Sequence, residues 1–172
     1  MKPGEHFHHC PRCGQRRSDV PGGSPFVCAA CGFTYYFNDS IATAVFITRD
    51  DGQVLFIRRA KAPAKGKLSP PGGFVDIGER AEDAIRRETR EEVGLEIADL
   101  RFLCSQPNSY EYAEVTYAVL DFFFVARAVV PNSAKALDDV ESFHWLDPRT
   151  VSPDEIAFPS VRAALKVFLN DR

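Results

Sequence analysis

The chain has 172 residues and a formal charge of −3, with 24 acids against 21 lysines and arginines. That length fits one ordinary domain with a small appendage, and 45% hydrophobic with 26% charged residues is a globular composition without a disorder signature. The negative balance excludes a general nucleic-acid or anionic-membrane binder, so a phosphate-bearing substrate has to be met by local cations or by metal.

The first ten residues, MKPGEHFHHC, hold no apolar run that reads as a signal peptide. The longest apolar region, Val115 to Val130, is interrupted by Asp121 and Arg127 and is too short to span a bilayer. The expectation is a cytoplasmic protein with no membrane partner. Four of the five cysteines form two pairs, Cys10-Pro-Arg-Cys13-Gly and Cys28-Ala-Ala-Cys31-Gly. Each glycine permits the tight turn that brings two sulfurs onto one ion, and two pairs supply the four thiolates of a closed structural Zn²⁺ site. A reducing compartment and the paired spacing disfavour disulfides. A zinc ribbon of this size cannot bury a core without its metal. The loop between the pairs, Ser18 to Ser24, is turn-rich and expected to be exposed.

His6, His8 and His9 read as solvated, because four thiolates already fill the site. Arg12, Arg16 and Arg17 are too few to make the ribbon a nucleic-acid element. A structural or dimerising ribbon is the expectation, which leaves a homodimer as a partner. Cys104 reads as a small core residue. The aromatic run Phe33 to Phe37 closes the ribbon and Asn38-Asp39-Ser40 makes a turn. The expected division is a ribbon over 1–38 and a second domain over 39–172.

In the second domain, Ile41 to Thr48 is a buried strand, Arg49 to Gly52 a hairpin turn, and Val54 to Ile57 the return strand. The basic loop Lys61 to Gly66 is either a solvated loop or a phosphate contact. Lys67 to Gly73 (KLSPPGG) leads into a helix expected over Arg80 to Val93. On a wheel at about 100° per residue, Glu88, Glu91 and Glu92 share one arc with Ala81, Ala84 and Ile85. A solvated helix turns its acids away from its apolar stripe. Three carboxylates on an inward arc repel one another unless a cation sits among them, and hard oxygen ligands suit Mg²⁺ or Mn²⁺. Leu100 to Ser105 is a strand, followed by Gln106-Pro107-Asn108-Ser109; Val115 to Val130 is one or two buried strands, and Phe143 to Leu146 a last strand. Pro159 to Leu169 has the apolar spacing of an amphipathic helix covering the sheet.

The stretch Gly73 to Leu95 resembles the signature of the Nudix hydrolases, G-x5-E-x7-R-E-U-x-E-E-x-G-U with U aliphatic. Gly73, Glu79, Arg87, Glu88, Glu91, Glu92, Gly94 and Leu95 fall in place, and Thr89 departs from the aliphatic position at similar size. Leu68 and Pro70 depart from the usual entry loop but leave the carboxylates untouched. The resemblance implies an α/β/α sandwich around a mixed sheet, and metal-dependent hydrolysis of a nucleoside diphosphate linked to another group. It implies Glu88 and Glu92 as principal ligands, with Glu91 and the Gly73 carbonyl as further ones, and a structural Glu79–Arg87 pair. It also implies an outside carboxylate shortly before a tryptophan, for which Asp139 and Glu141 ahead of Trp145 are the candidates.

A ribbon followed by this signature is similar to the NADH pyrophosphatases. Ser105-Gln106-Pro107 matches the start of their S-Q-P-W-P-F-P motif, whereas Asn108 to Tyr112 does not match its end. ADP-ribose, NAD(H) or a similar dinucleotide is the expected substrate, with Phe74, Gln106, Tyr110 and Tyr112 as candidate contacts. The competing expectation is a non-catalytic Nudix sensor that uses the ribbon on a partner or nucleic acid. The intact carboxylates argue against it, and a ribbon-based nucleic-acid protein is disfavoured by the charge.

Overall fold

The computed structural model describes residues 3–17 and 24–171. The turn-rich loop between the cysteine pairs lies outside the described residues except for Ser24. The chain separates into two compact units, one formed by Met1–Ser40 with Ser109–Ala118 and the other by Ile41–Asn108 with Val119–Arg172.

In the smaller unit, β1 (Phe26–Val27) pairs antiparallel with β2 (Thr34–Tyr35). The core is Cys10, Phe26 and Cys28, against which Phe7, Phe33 and Phe37 pack. The aromatic run therefore closes this unit as its composition suggests. So few buried side chains, at about 1.5–3 kcal/mol each, leave such a unit dependent on its cysteine cluster.

The remaining strands are β3 (Ser40–Thr48), β4 (Val54–Arg59), β5 (Leu68–Ser69), β6 (Ile97–Tyr112), β7 (Val115–Ala128) and β8 (Val140–Leu146), and the helices are α1 (Ala81–Val93) and α2 (Pro159–Asn170). They form a six-stranded sheet of order β5-β4-β3-β7-β6, with β8 antiparallel to β4. Strand alternation sorts the side chains onto two faces. Val45, Ile47, Leu55, Ile57, Phe124 and Ala126 join Ile85 and Val93 of α1 in one core. Their sequence neighbours Phe46, Phe56, Phe123 and Val125 join Val161, Ala164, Leu165 and Phe168 of α2 in the other. This is the expected α/β/α sandwich, and the helices fall where their apolar spacing puts them.

Two elements differ from expectation. β5 forms where the sequence suggests only a loop, held by Ile57 opposite Ser69 and Arg58 opposite Leu68. β6 runs on through Gln106 and Pro107, although the strand is expected to end at Ser105. Pro107 has no N–H to give a ladder, but β6 closes the strand order, and an edge strand tolerates that loss.

Candidate active site and cysteine cluster

The loop entering α1 is fixed to the centre of the sheet before the helix begins. Thr43 N donates to the Gly73 carbonyl at 2.8 Å, Val45 N to the Pro71 carbonyl at 3.0 Å, and Val75 N to the Ile41 carbonyl at 3.0 Å. Backbone approaches backbone so closely that side chains are excluded. A Cβ on Gly72 would overlap the Thr43 carbonyl oxygen and lie 2.7 Å from Ala44 Cα, and Gly72 holds φ +151°. A Cβ on Gly73 would fall 2.5 Å from the Glu88 carboxylate. The glycines thus leave room for Glu88 and aim the Gly72 N–H at Glu92 Oε2, 2.9 Å away.

The far end of α1 is equally anchored. Gly94, at φ 65°, closes the helix by donating to the Arg90 carbonyl. The carbonyls of Glu92 and Val93 accept from Leu137 N and Lys135 N at 3.0 Å, and that of Glu91 from Asp138 N at 3.3 Å. These bonds answer the orphan acceptors of a helix end and hold the segment leading into β8 against it. Asp139, in a left-handed conformation at φ 56°, follows directly. Thr89 is fully buried and its hydroxyl donates to the Ile85 carbonyl at 2.7 Å, so the departure from an aliphatic residue leaves no unsatisfied group.

The expected Glu79–Arg87 pair is present. Arg87 Nε and Nη2 reach the two Glu79 oxygens at 3.0 and 2.9 Å, and Nη2 also donates to the Phe74 carbonyl at 3.1 Å. Its Nη1 meets Glu88 Oε1 at 2.7 Å and Glu91 Oε2 at 3.1 Å. The guanidinium's hydrogen bonds, with the Asp76 N–H, hold the Glu79 carboxyl below its usual range. Burial raises Glu88 despite the same arginine. Glu92 is raised furthest, to about 8, chiefly by burial; the Gly72 N–H and Arg59 oppose this, while Glu88 and Asp139 add to it. The charges of Arg59 and Asp139 thus both act on Glu92.

The structure does not bring every candidate together. Glu141 is exposed on β8, and Glu91 is exposed apart from its tie to Arg87. The Gly73 carbonyl already accepts from Thr43 N at 2.8 Å and from the Thr43 hydroxyl at 3.5 Å. Phe74 is 41% exposed beside the arginine. Gln106 Nε2 stands 4.0 Å from Cys104 Sγ, and Tyr110 and Tyr112 belong to the smaller unit. Sequence reasoning missed Arg59 and the Gly72 N–H. Arg59 reads as the polar end of a strand, and only the pairing of β4 with β8 brings it near Asp139.

In the smaller unit both cysteine pairs fold alike. Cys10 N donates to the Gln15 carbonyl and Gly14 N to the Cys10 carbonyl, each at 2.9 Å. Cys28 N, Phe33, Gly32 and the Cys28 carbonyl repeat the pattern at the same distances. Gly14 and Gly32 sit at φ 74° and 69°, the left-handed turn their sequence position implies. Cys10 and Cys31 Sγ lie 3.7 Å apart, as do Cys13 and Cys28 Sγ. A disulfide needs about 2.0 Å, whereas a tetrahedron with metal–sulfur bonds of about 2.3 Å has edges near 3.8 Å. Among the described residues these cysteines are the one group of three or more possible ligands whose donor atoms all lie within 4.8 Å of one another. The glutamates form no such group among the described residues. Mg²⁺ usually keeps several of its waters and does not require an all-protein cage.

A sandwich of this topology carrying such a helix defines a family, and the family model of the NUDIX domain matches residues 39–167. The chain belongs to that family. Among curated proteins it is 36% identical over 163 residues to the NAD-capped RNA hydrolase NudC of Pseudomonas fluorescens, covering 95% of this chain and 56% of that protein. It is 39% identical over 97 residues to the human mitochondrial NAD(P)H pyrophosphatase NUDT13, covering 56% of this chain and 27% of that one. The chain spans about half the length of the NudC proteins it matches. Among solved structures, a NUDIX hydrolase from Nitrosomonas europaea superposes with a TM-score of 0.70 at 20% identity, over 100% of this chain and 92% of that one. The MutT NUDIX hydrolase from Burkholderia pseudomallei gives 0.64 at 25% identity, over 75% and 97%. No helix among the described residues is long and apolar enough to cross a membrane.

Proposed function

We propose that this protein is a metal-dependent pyrophosphohydrolase acting on a dinucleotide of the NAD(H) or ADP-ribose kind, free or carried on the 5′ end of an RNA. The observation that carries this reading is Glu92. It is a buried carboxylate with one backbone donor and two further acids in electrostatic reach, in a chain whose relatives are named for such reactions. Its pKa is raised chiefly by burial, with Glu88 and Asp139 adding to it, and a divalent cation is what the donor set suits. Glu88 and Glu92 would hold Mg²⁺ or Mn²⁺, with Glu91 and the Gly73 carbonyl as further oxygens. Such an ion, when bound, neutralises phosphate charge and lowers the pKa of a water.

The chain's own residues do the rest. Arg87 aligns Glu88 and Glu91 while pinning the entry loop through Glu79. Asp139 and Glu141 are the candidates to take a proton from the attacking water, and Asp139 has the better claim by its position near Glu92. Phe74 offers an exposed ring for a base or nicotinamide, with Gln106 of the same unit as a further candidate contact. The cysteine cluster would hold one structural Zn²⁺, which fits a reducing compartment such as the cytoplasm. A homodimer is the oligomeric state we would test first.

The test is turnover by the full chain with Mg²⁺ or Mn²⁺ against NADH, ADP-ribose and NAD-capped RNA. The expected products are two monophosphates from each dinucleotide, with label from ¹⁸O-water on a product phosphate. Label on a sugar carbon, or release of free base, would overturn the reading. Tight binding of all three without turnover would return the protein to the sensor class.

A further inference from the structure

The end of β4 and the loop joining it to β5 are strongly basic in an acidic chain: Arg58-Arg59-Ala60-Lys61-Ala62-Pro63-Ala64-Lys65-Gly66-Lys67 carries five cations and no acid. The arginines and the backbone shape it. Arg58 Nη1 donates to the Gly66 carbonyl at 2.6 Å, and Arg59 Nε to the Pro63 carbonyl at 2.9 Å. Arg59 also stacks over Phe158, 5.1 Å from its centroid. Gly66 N returns to the Arg59 carbonyl at 2.8 Å, and Arg59 N donates to the Lys67 carbonyl at 3.0 Å. Ala64 and Gly66 take left-handed conformations to close the turn. The result is a built loop that presents Lys65 to solvent, while Lys61, 69% exposed, pairs with Asp139 and the exposed Lys67 donates from Nζ to the Asp154 carbonyl at 2.9 Å.

This loop adjoins the carboxylate site. Ala60 N donates to the Asp139 carbonyl at 3.0 Å, Lys61 pairs with the Asp139 carboxylate, and the Arg59 charge acts on Glu92. A free dinucleotide brings its two phosphates to the acids and metal and has none left for lysines further out. An RNA joined to that dinucleotide brings one more phosphate with each nucleotide. Lysines on a fixed loop are point charges that position such a backbone without reading its sequence.

We propose that the β4–β5 loop is the track for the phosphodiester chain of an RNA capped by the dinucleotide, with Lys65 as its leading contact. The inference rests on the reaction proposed above and adds a subsite to it. The experiment uses the full chain with Mg²⁺, comparing NADH with a single-stranded NAD-capped RNA across a salt series. kcat/KM for the RNA should fall more steeply with salt than that for NADH. Lys65→Glu should raise KM several-fold more for the RNA than for NADH, and Lys65→Ala should flatten the logarithmic salt slope by about 0.7 for one lost phosphate contact.

Equal changes in KM for both substrates would assign the loop to the pyrophosphate and overturn the proposal, as would no change. Binding of 5′-monophosphorylated RNA against AMP, read by fluorescence anisotropy in competition, decides the matter independently of turnover. A preference for the RNA that Lys65→Glu abolishes supports the track, and an unaltered preference ends it. If the unchanged protein hydrolyses neither substrate, the proposed reaction fails while this binding measurement still judges the loop.

Discussion

Glu92 and Glu82 sit on one helix in opposite circumstances. Glu92 is buried against the Gly72 N–H, whereas Glu82 is exposed with a 3.6 Å contact to Arg80. Such surface pairs are worth about 0–1 kcal/mol. Glu92→Gln keeps the size and removes the charge, so kcat/KM should fall by more than the roughly 10–100-fold typical of losing an outer partner of a metal ligand. Glu88→Gln should do the same, and Glu82→Gln should leave turnover near its starting value. Steady-state kinetics on the three variants tests this, and equal rates for the Glu92 and Glu82 variants would move the site elsewhere.

Glu92 also predicts a pH dependence in chelator-treated protein. Its folded pKa is raised from an ordinary 4.5 to about 8. The folded state therefore binds the proton more tightly, and the associated stability is full below the unfolded value and is lost as pH rises toward and through 8. Thermal melting without divalent metal should show Tm falling over that interval, and Glu92→Gln should flatten the fall. A wild-type curve and a variant curve of identical slope would contradict it.

At the scale of elements, the entry loop works because two glycines do different jobs. Gly72→Ala drives a methyl into the backbone of β3, which cannot yield without breaking the Thr43 and Val45 hydrogen bonds. Several kcal/mol are at stake. At about 2–4 °C per kcal/mol for a chain of this size, Tm should drop by ~10 °C. Gly73→Ala meets only the end of the Glu88 side chain, which can swing aside. It should largely keep the Tm while lowering kcat, since Glu88 is displaced from its place beside Arg87. Paired melting and activity measurements separate the two, and a Gly73 variant that loses stability first would refute the division. Glu79 and Arg87 complete this arrangement by tying loop to helix through two hydrogen bonds.

For the whole molecule, the two units differ in what holds them. The larger one has two apolar cores, one on each face of its sheet, with Phe46, Phe56, Phe123 and Phe168 packed around one another on the α2 side. The smaller one has Phe26 and the cysteine cluster at its centre. Structural Zn²⁺ stabilises small modules by roughly 10–16 kcal/mol. Zinc removal should therefore make residues 3–17 and 24–40 susceptible to proteolysis, while the α1 and α2 amides keep their hydrogen-exchange protection. Elemental analysis should find one zinc per chain. A metal-free preparation with an unaltered cleavage pattern would show that the cysteines do not need an ion.

Local pattern was sufficient for the helices, the two knuckles and the inward placing of Glu88 and Glu92, because each depends on residues only a few positions apart, whereas Glu91 of the same arc is exposed. A period near 3.6 puts Ile85 and Glu92 on one side of α1, and Cys-x2-Cys-Gly encodes its own turn. β5 was illegible, since two residues become a strand only when β4 is beside them. The strand read over Leu100 to Ser105 continues past Pro107 because an edge position tolerates the missing N–H. Asp139 and Glu141 looked equivalent in sequence, two residues apart. Long-range pairing separated them: Lys61 and the Ala60 amide hold Asp139, and the bonds from Lys135, Leu137 and Asp138 to the last turn of α1 bring it near Glu92, while Glu141 stays in solvent.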